Sequence, residues 1–196
     1  APIGEPSVEP YGEIMTRTIN VDGSPGDWDG VPPLDMDPMF DADHPREDIK
    51  AVYGVNDDEF LYFLMELYEV IPSSVEASIE EYGEYRFFID IIPGEGDPSN
   101  GADFFIEYRT SSVSLEALNG GTTDLHYWAD GWYIVEDCIL VTGCSQENYI
   151  EVGVPWECIG GKDCFNCFFY AHYQGVNNSD YSPDRQEGIV LLGCCP

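Results

Sequence analysis

The stretch "DIKAVYGVNDDEFLYFLMEL", from Asp48 to Leu67, decides the fold class. Its two halves are rich in β-branched, aromatic and other apolar residues, which favour strands. Between them lies Asn-Asp-Asp-Glu, a polar tetrapeptide of the residue types that turns prefer. Two apolar runs joined by so short a polar connection predict a β-hairpin.

Further runs of this kind follow along the chain. "YRFFIDII" and "DFFIEYR" flank a Gly- and Pro-rich loop, and later runs include "LHYWA", "WYIVED", "YIEVGV", "CFFYAHYQ" and "GIVLL". This spacing predicts an all-β fold, an antiparallel β-sandwich of jelly-roll kind with about ten strands. The segment from Ser73 to Tyr82 is the exception, because its Ser residues and the following Glu are typical of a helix start.

The chain divides into a tail and one domain. Residues 16–196 carry the strand pattern and form a single predicted domain, whereas residues 1–15 are punctuated by Pro and Gly. An extended tail of this kind can add a strand to a neighbour's sheet, or it can lie along its own sandwich. The first residue is Ala rather than Met, which predicts that a targeting peptide has been removed.

The charge of the chain excludes several partners. Seven Lys and Arg residues face 38 Asp and Glu residues, so the net charge is −31. Nucleic acid and anionic membrane surfaces would be repelled, and no apolar run reaches the roughly 20 residues of a membrane-spanning helix. Such charge favours bound calcium, which prefers carboxylate oxygens. The alternative is a solvated acidic surface.

Two loops concentrate candidate calcium ligands. In each loop, acids at alternate positions lie near Gly or Pro, although neither loop matches the regular EF-hand pattern. The first loop contains Asp35, Asp37, Asp41, Asp43 and Asp48, and the second contains Asp90, Glu95, Asp97, Asn100 and Asp103. The alternative for each loop is a solvated acidic connection without an ion.

All seven cysteines lie in the last third of the chain: Cys138, Cys144, Cys158, Cys164, Cys167, Cys194 and Cys195. This clustering predicts a disulfide-stapled C-terminal half in an oxidising, extracellular or cell-surface compartment. The C-x5-C spacing suits a bridge between Cys138 and Cys144, and "CIGGKDCFNC" can be tied to the final "CC". A four-cysteine zinc site that uses Cys164 and Cys167 of "CFNC" and the terminal pair Cys194 and Cys195 is the rival interpretation. Because seven is an odd number, one cysteine is left free, capped or joined by a disulfide bond to another molecule.

The segment "HYWADGWY" is a candidate sugar platform. Asp130-Gly131 predicts a two-residue hairpin turn. In that register Trp128, Tyr133 and His126 share one side of the sheet, while Trp132, Tyr127 and Ile134 share the other. One set is then core and the other exposed, and only the exposed set can stack on a sugar ring.

The sequence offers no catalytic motif. None of the three histidines stands in a nucleophile motif, and no phosphate loop, zinc-protease or dinucleotide fingerprint is present. We therefore expect a non-catalytic protein. Asn177 begins an N-glycosylation sequon in a polar, turn-like stretch.

Five segments in order resemble family-nine carbohydrate-binding modules and their DOMON-like relatives. They are "INVDGSPGDWDGVPPL", "DIKAVYGVNDDEFLYFLMEL", "RFFIDIIPGEGDPSNGADFFIEY", "YIEVGVPWECIGG" and "YSPDRQEGIVLL". The resemblance implies that Trp28 is a core plug, that Asp22 and Asp27 brace its loop, and that Trp156 is structural. Ile91 and Ile92 stand where relatives often have a second Asp, so the resemblance does not carry a metal site over to that loop.

Two functions follow from these patterns. The first is a structural subunit of an extracellular filament, sheath or surface layer, a homo-polymer joined by N-terminal strand donation and calcium. The alternative is a carbohydrate-binding module that recognises an oligosaccharide or polysaccharide, as the resemblance implies.

Overall fold

The fold is a sandwich of two β-sheets, as predicted. The computed structural model describes residues 12–42, 44–71, 83–92, 95–110, 122–173, 179–185, 188–189 and 192–196. In these residues the only helical elements are two 3-10 turns, Pro25–Trp28 and Trp156–Ile159. No helix in the described part of the chain has the length and apolar character to cross a bilayer.

The larger sheet has the strand order β1-β16-β12-β6-β7-β8-β9, with β13 also paired to β12. Its neighbours are antiparallel except for the short β1–β16 pair. The strands of this sheet are β1 (Gly12–Glu13), β6 (Gly83–Asp90), β7 (Phe104–Arg109), β8 (Thr122–Trp128), β9 (Trp132–Ile134), β12 (Phe165–Tyr173), β13 (Asp180–Ser182) and β16 (Leu192–Cys195).

The smaller sheet has the strand order β10-β11-β5-β4-β2, with β3 also paired to β4. Its strands are β2 (Met15–Thr16), β3 (Asp35–Met36), β4 (Ile49–Asn56), β5 (Phe60–Leu67), β10 (Thr142–Gln146) and β11 (Tyr149–Pro155). A separate two-stranded ribbon consists of β14 (Asp184–Arg185) and β15 (Gly188–Ile189).

The hairpin predicted from Asp48 to Leu67 is confirmed. Strands β4 and β5 pair antiparallel and meet at Asn56 opposite Leu61. In the turn, the Asp57 carboxylate accepts hydrogen bonds from the backbone N–H groups of Glu59 (2.9 Å) and Phe60 (2.8 Å). The turn forms here because an Asp side chain can satisfy backbone donors two or three residues further on.

Aromatic rings fill the space between the sheets. Phe63 of the smaller sheet contacts Phe87, Phe165 and Phe169 of the larger sheet at centroid distances of 6.0, 6.2 and 5.4 Å. All four rings are almost fully buried. Burial of this apolar surface is the main force that holds the sheets together.

The first described residues connect the two sheets. Gly12–Glu13 pairs with β16 in the larger sheet, and Met15–Thr16 pairs with β4 in the smaller one. Residues 1–11 lie outside the described residues, as do residues 72–82, which contain the whole predicted helix from Ser73 to Tyr82. The tail of residues 1–15 as a donor strand therefore stays a prediction.

Two disulfides staple the C-terminal half. Cys138 bonds to Cys158, so the predicted bridge between Cys138 and Cys144 is wrong. The short C-x5-C spacing did not indicate the true partner. Cys144 lies on β10, whereas Cys158, which bonds to Cys138, lies in the 3-10 turn after β11.

The second disulfide joins Cys164 to Cys195 and so ties the loop before β12 to the final strand, as predicted. Two members of the proposed zinc tetrad are thereby oxidised, and the zinc interpretation is wrong. Cys167 and Cys194 are buried side by side, with their Sγ atoms 3.8 Å apart. The intermolecular bridge stays a prediction.

Candidate functional site

The loop around Trp28 closes over the outer side of the smaller sheet. Trp28 is 4% exposed and packs with buried residues of β4 and β5. Asp22 accepts a hydrogen bond from the Ser24 N–H (2.9 Å) and Asp27 accepts one from the Asn20 N–H (3.1 Å). Trp28 is therefore a core residue and its loop is braced by two Asp residues, as the resemblance implied.

Glu151 holds this loop, and the sequence analysis missed it. One carboxylate oxygen accepts a hydrogen bond from Trp28 Nε1 (2.6 Å), and the other accepts from the backbone N–H groups of Asp22 (2.9 Å) and Gly23 (2.5 Å). Burial raises the pKa of Glu151, while these hydrogen bonds act against that rise. The alternation in "YIEVGV" placed Glu151 away from the core, and only the covering loop buries it.

Trp156 has the structural position that the resemblance implied. It is 4% exposed, its ring packs on Phe165, and its Nε1 donates to the Asp57 carbonyl oxygen (3.1 Å). Neither Trp28 nor Trp156 can therefore contact a ligand.

The outer face of the larger sheet, which points away from the smaller sheet, carries four cross-strand rows of side chains. Residues opposite each other on paired strands share a face, so each row lies on one side of the sheet. From one end of the face to the other, the rows change from charged to aromatic. The rows are His172–Glu84–Arg109–Thr122, Tyr170–Arg86–Glu107–Asp124, Phe168–Phe88–Phe105–His126–Ile134 and, across β12 and β6 and then β8 and β9, Asn166–Asp90 and Trp128–Trp132.

The aromatic rings of this face touch one another from strand to strand. Phe88 stacks on Phe168 at 4.3 Å, and Phe105 stacks on His126 at 4.3 Å. Trp132 contacts Phe105 at 4.6 Å. The Phe rings are buried, whereas the rings at the β8–β9 edge are only partly covered. The accessible part of the aromatic row therefore lies at that edge.

Charged side chains occupy the other end of the outer face. Arg86 donates to Glu107 (Nε to Oε2, 2.8 Å) and pairs with Glu84, while Arg109 Nη2 lies 2.6 Å from the second oxygen of Glu107. The Arg86 guanidinium also lies over the ring of Phe105, 5.0 Å from its centroid. Two of the chain's seven Lys and Arg residues are thus placed on one sheet face.

The predicted register of the β8–β9 hairpin is wrong by one residue. Trp128 lies opposite Trp132, Tyr127 lies opposite Tyr133, and the loop has three residues, Ala129 to Gly131. A two-residue type I′ turn needs positive φ at both central positions, and Gly131 does not adopt positive φ. The slip moves every side chain of β9 to the other face.

The corrected register separates the predicted sugar-binding residues. Trp128 and His126 share the outer face, as predicted, but Tyr133 lies with Tyr127 on the opposite side. Trp132, which was expected there, joins Trp128 on the outer face, with ring centroids 5.3 Å apart. The two tryptophans therefore belong to one surface.

His126 links the aromatic and charged parts of the outer face. Its Nε2 is buried without a hydrogen-bond partner in the described residues and lies 3.9 Å from Oε1 of Glu107. Burial lowers the pKa of His126, as do Arg86 and Arg109, while Glu107 and Asp124 oppose that shift.

The second acidic loop supports the outer face. Asp97 accepts hydrogen bonds from Trp132 Nε1 (3.1 Å) and from the Ser99 N–H (2.8 Å), and Asp103 accepts from the backbone N–H groups of Ile91 and Ile92 (2.8 Å each). These two Asp residues therefore brace the loop and hold the Trp132 ring in place.

Asp90 lies on the outer face beside Asn166, whose amide donates to it (2.9 Å). Burial raises the pKa of this carboxyl, although the amide donor opposes the shift. The structure therefore does not gather Asp90, Asp97 and Asp103 into a group of converging carboxylates.

The carboxylates of the first acidic loop are also dispersed over different parts of the structure. Asp35 accepts a hydrogen bond from Ser182 Oγ (2.9 Å), Asp37 is buried, and Asp43 lies outside the described residues, as does Asn177. Of the described residues of the predicted set, Asp41 and Asp48 lie in a converging group of three carboxylates, together with the unpredicted Asp180.

A cleft of about 380 Å³ opens at the edge of the sandwich where β1 and β2 cross between the sheets. Its described lining includes Ile14, Val31, Leu34 and Cys194, with the acidic side chains of Glu13 and Asp35. None of the described lining residues is aromatic. This cleft therefore suits a sugar ring less well than the outer face does.

Comparison with known proteins finds likeness at the level of fold. No family model matches the chain, and no curated protein matches it significantly. A family 9 carbohydrate-binding module from Caldicellulosiruptor kristjanssonii in complex with glucose is 14% identical with a TM-score of 0.47, over 83% of this chain and 78% of that chain.

The module from the same organism in complex with cellotriose is 15% identical with a TM-score of 0.48, over 81% of this chain and 74% of that chain. Both structures are family 9 carbohydrate-binding modules, the family that the five sequence segments resemble. At this identity the likeness does not extend to individual site residues.

Proposed function

We propose that this protein is a carbohydrate-binding protein whose site is the β8–β9 end of the outer face. The observation that carries the proposal is the register of β8 and β9, which places Trp128 and Trp132 on the same face as His126. Partly covered aromatic rings beside fixed polar groups are typical of a small-ligand site.

The chemistry of this surface suits a sugar. A pyranose ring presents apolar C–H groups that pack on an aromatic face, and its hydroxyl groups need donors and acceptors around the rim. Trp128 supplies the ring, and Trp132 supports it because its own N–H is already bonded to Asp97. His126 supplies a polar group on the adjoining row, and Arg86 and Asp124 lie one row beyond it.

The net charge restricts the kind of carbohydrate. A chain with a net charge of −31 repels polyanions such as uronate-rich or sulfated glycans. The ligand proposed is therefore a neutral oligosaccharide or polysaccharide. The two disulfides fit an extracellular or cell-surface protein, where such bonds persist.

The test is affinity electrophoresis in gels that contain soluble neutral polysaccharides, hydroxyethyl cellulose and xylan among them, with polygalacturonate as the acidic comparison. We expect retardation by at least one neutral polymer and none by the polyanion. A Trp128→Ala variant should bind at least about tenfold more weakly, a loss of about 1.4 kcal/mol.

The matched control is Tyr133→Ala, because it removes an exposed ring from the opposite side of the same hairpin. It should bind like the wild type. No retention of the wild type by any neutral polymer, or equal losses for both variants, would show that the outer face is not the site.

The structural-subunit function predicted from the sequence depends on residues 1–11, which lie outside the described residues. In the described part of the tail, Gly12–Glu13 pairs with the final strand of its own chain. Self-assembly therefore stays a prediction, and no described contact favours it over sugar binding.

A further inference from the structure

Three carboxylates converge where the loop before β4 meets β13. One oxygen each of Asp41, Asp48 and Asp180 lies within 4.8 Å of the others. Asp41 is exposed, whereas Asp48 and Asp180 are 1% and 3% exposed. We call these three residues the acidic cluster.

Backbone hydrogen bonds fix the two buried members. Asp180 accepts from the Ile49 N–H (2.6 Å) with one oxygen and from the Tyr181 N–H (2.9 Å) with the other. Asp48 accepts from the Phe40 N–H (2.9 Å) with Oδ2. The carboxylates are thus held in place rather than free to turn apart toward water.

The acidic cluster lacks a positive partner. Within the described residues no Lys, Arg or His forms an ion pair with any of its three members. Asp48 Oδ1 is buried and accepts no hydrogen bond in the described part of the chain. A buried carboxylate oxygen without a donor is costly, so this atom indicates a missing partner.

The electrostatics of the cluster agree with that geometry. Burial raises the pKa of Asp180 to about 7, and the nearby Asp41 and Asp48 charges add to the rise. Burial and Asp41 also raise the pKa of Asp48. The two buried carboxylates, Asp48 and Asp180, therefore resist ionisation unless a cation compensates them.

We propose that the acidic cluster is a calcium site that joins the loop containing Asp41 to the sheets. Calcium is the fitting ion because it takes six to eight hard oxygen ligands in irregular geometry. Asp41, Asp48 and Asp180 supply three carboxylate ligands, and backbone carbonyls and water complete the shell. Asp180 belongs to neither acidic loop in the sequence, so the pattern of acids alone did not indicate this set.

The backbone around the cluster supports the assignment. Phe40 has φ of 74°, a left-handed conformation that bulky residues rarely adopt. This turn directs the chain from Phe40, whose N–H binds Asp48, to the exposed carboxylate of Asp41. Strained backbone of this kind occurs at ligand clamps, and a bound cation would hold it.

The test uses the full chain after removal of metal with a chelator. Thermal unfolding and isothermal titration calorimetry are measured with and without millimolar calcium chloride. In the wild type we expect one calcium per chain and a rise in Tm of about 5 °C or more, as saturating binding to the folded state gives.

Two variants decide where the ion binds. Asp48→Asn should weaken calcium binding at least about tenfold and remove most of the Tm shift. Asp137→Asn removes one exposed charge at a residue outside the cluster, so it should behave like the wild type. No calcium effect in the wild type, or an unchanged effect in Asp48→Asn, overturns the proposal.

A second measurement covers the case in which Asp48→Asn fails to fold. Terbium replaces calcium at oxygen sites and luminesces when nearby aromatic rings absorb light, and Tyr181 directly follows Asp180. Asp41→Asn alters only the exposed member of the cluster. Sensitised emission that titrates about tenfold more weakly in Asp41→Asn supports the site, and an unchanged titration overturns it.

Discussion

Glu151 and Asp48 are both buried carboxylates, at 0% and 1% exposure, but they differ in what surrounds them. Three N–H donors surround Glu151 and use both of its oxygens. Asp48 has a donor at one oxygen only, and its nearest charged neighbours include a like charge. A buried carboxylate is stable where the chain supplies hydrogen-bond donors to both oxygens. Where the chain does not supply them, the carboxylate is destabilising unless a bound cation compensates its charge.

Replacing Glu151 by Gln should have the largest effect. The amide keeps the shape but offers one acceptor oxygen instead of two, so its NH₂ group must face either Trp28 Nε1 or the backbone N–H groups of Asp22 and Gly23. We expect a loss of about 3 kcal/mol in the free energy of unfolding, measured by urea denaturation. Exposed Glu157→Gln is the control, and a loss below about 1 kcal/mol in Glu151→Gln would contradict this account.

The same change at Asp48 should have the opposite sign when calcium is absent. Asn can still accept the Phe40 N–H, while it removes a charge that Asp41 and Asp180 repel. We expect Asp48→Asn to be about 1 kcal/mol more stable than the wild type in chelator. Urea denaturation in chelator is the measurement, and a less stable variant would show that Asp48 already has a compensating partner.

Glu107 offers a third, intermediate case, in which arginines neutralise a buried carboxylate beside His126. Because burial, Arg86 and Arg109 lower the pKa of His126 against the pull of Glu107 and Asp124, the unfolded chain binds this proton more readily. The contribution of His126 to stability should therefore fall as the pH falls through the unfolded value of about 6.5, whereas Asp180, whose pKa burial raises to about 7, contributes in the opposite sense.

The expected loss from His126 between pH 7 and 5.5 is below about 1 kcal/mol. Chemical denaturation at both pH values is the measurement, and the stability of His126→Gln relative to the wild type should be higher at pH 5.5 than at pH 7. His44→Gln is the control for the removal of any histidine. An equal pH dependence in wild type and His126→Gln would show that His126 does not titrate differently in the folded state.

Much of the fold could be predicted from the sequence. The hairpin from Asp48 to Leu67, the sandwich and the link from Cys164 to the final strand were all indicated by local pattern. The hairpin and the strands depend on residues that are close in sequence, since turn chemistry and apolar alternation are local properties. The disulfide joins positions 31 residues apart and was indicated by the clustering of the cysteines. The burial of Trp28 was implied by the family resemblance rather than by such a pattern.

The candidate sites were less accessible to such reasoning. The Asp130-Gly131 pair suggested a tight turn, but the backbone adopted a three-residue loop and thereby moved Trp132 and Tyr133 to opposite faces from those expected. A shift of one residue is a small change in the chain and a complete change of surface. The sequence pattern alone did not distinguish the two registers.

The sequence by itself determined an acidic, disulfide-stapled β-sandwich, because composition, alternation and cysteine clustering act wherever the chain folds. Only the tertiary structure decided the partners of its buried charges. Glu151 meets Trp28 across 123 positions, and Asp180 meets Ile49 across 131. Such contacts arise from the packing of distant segments, and burial then determines which carboxylates have donors and which lack them.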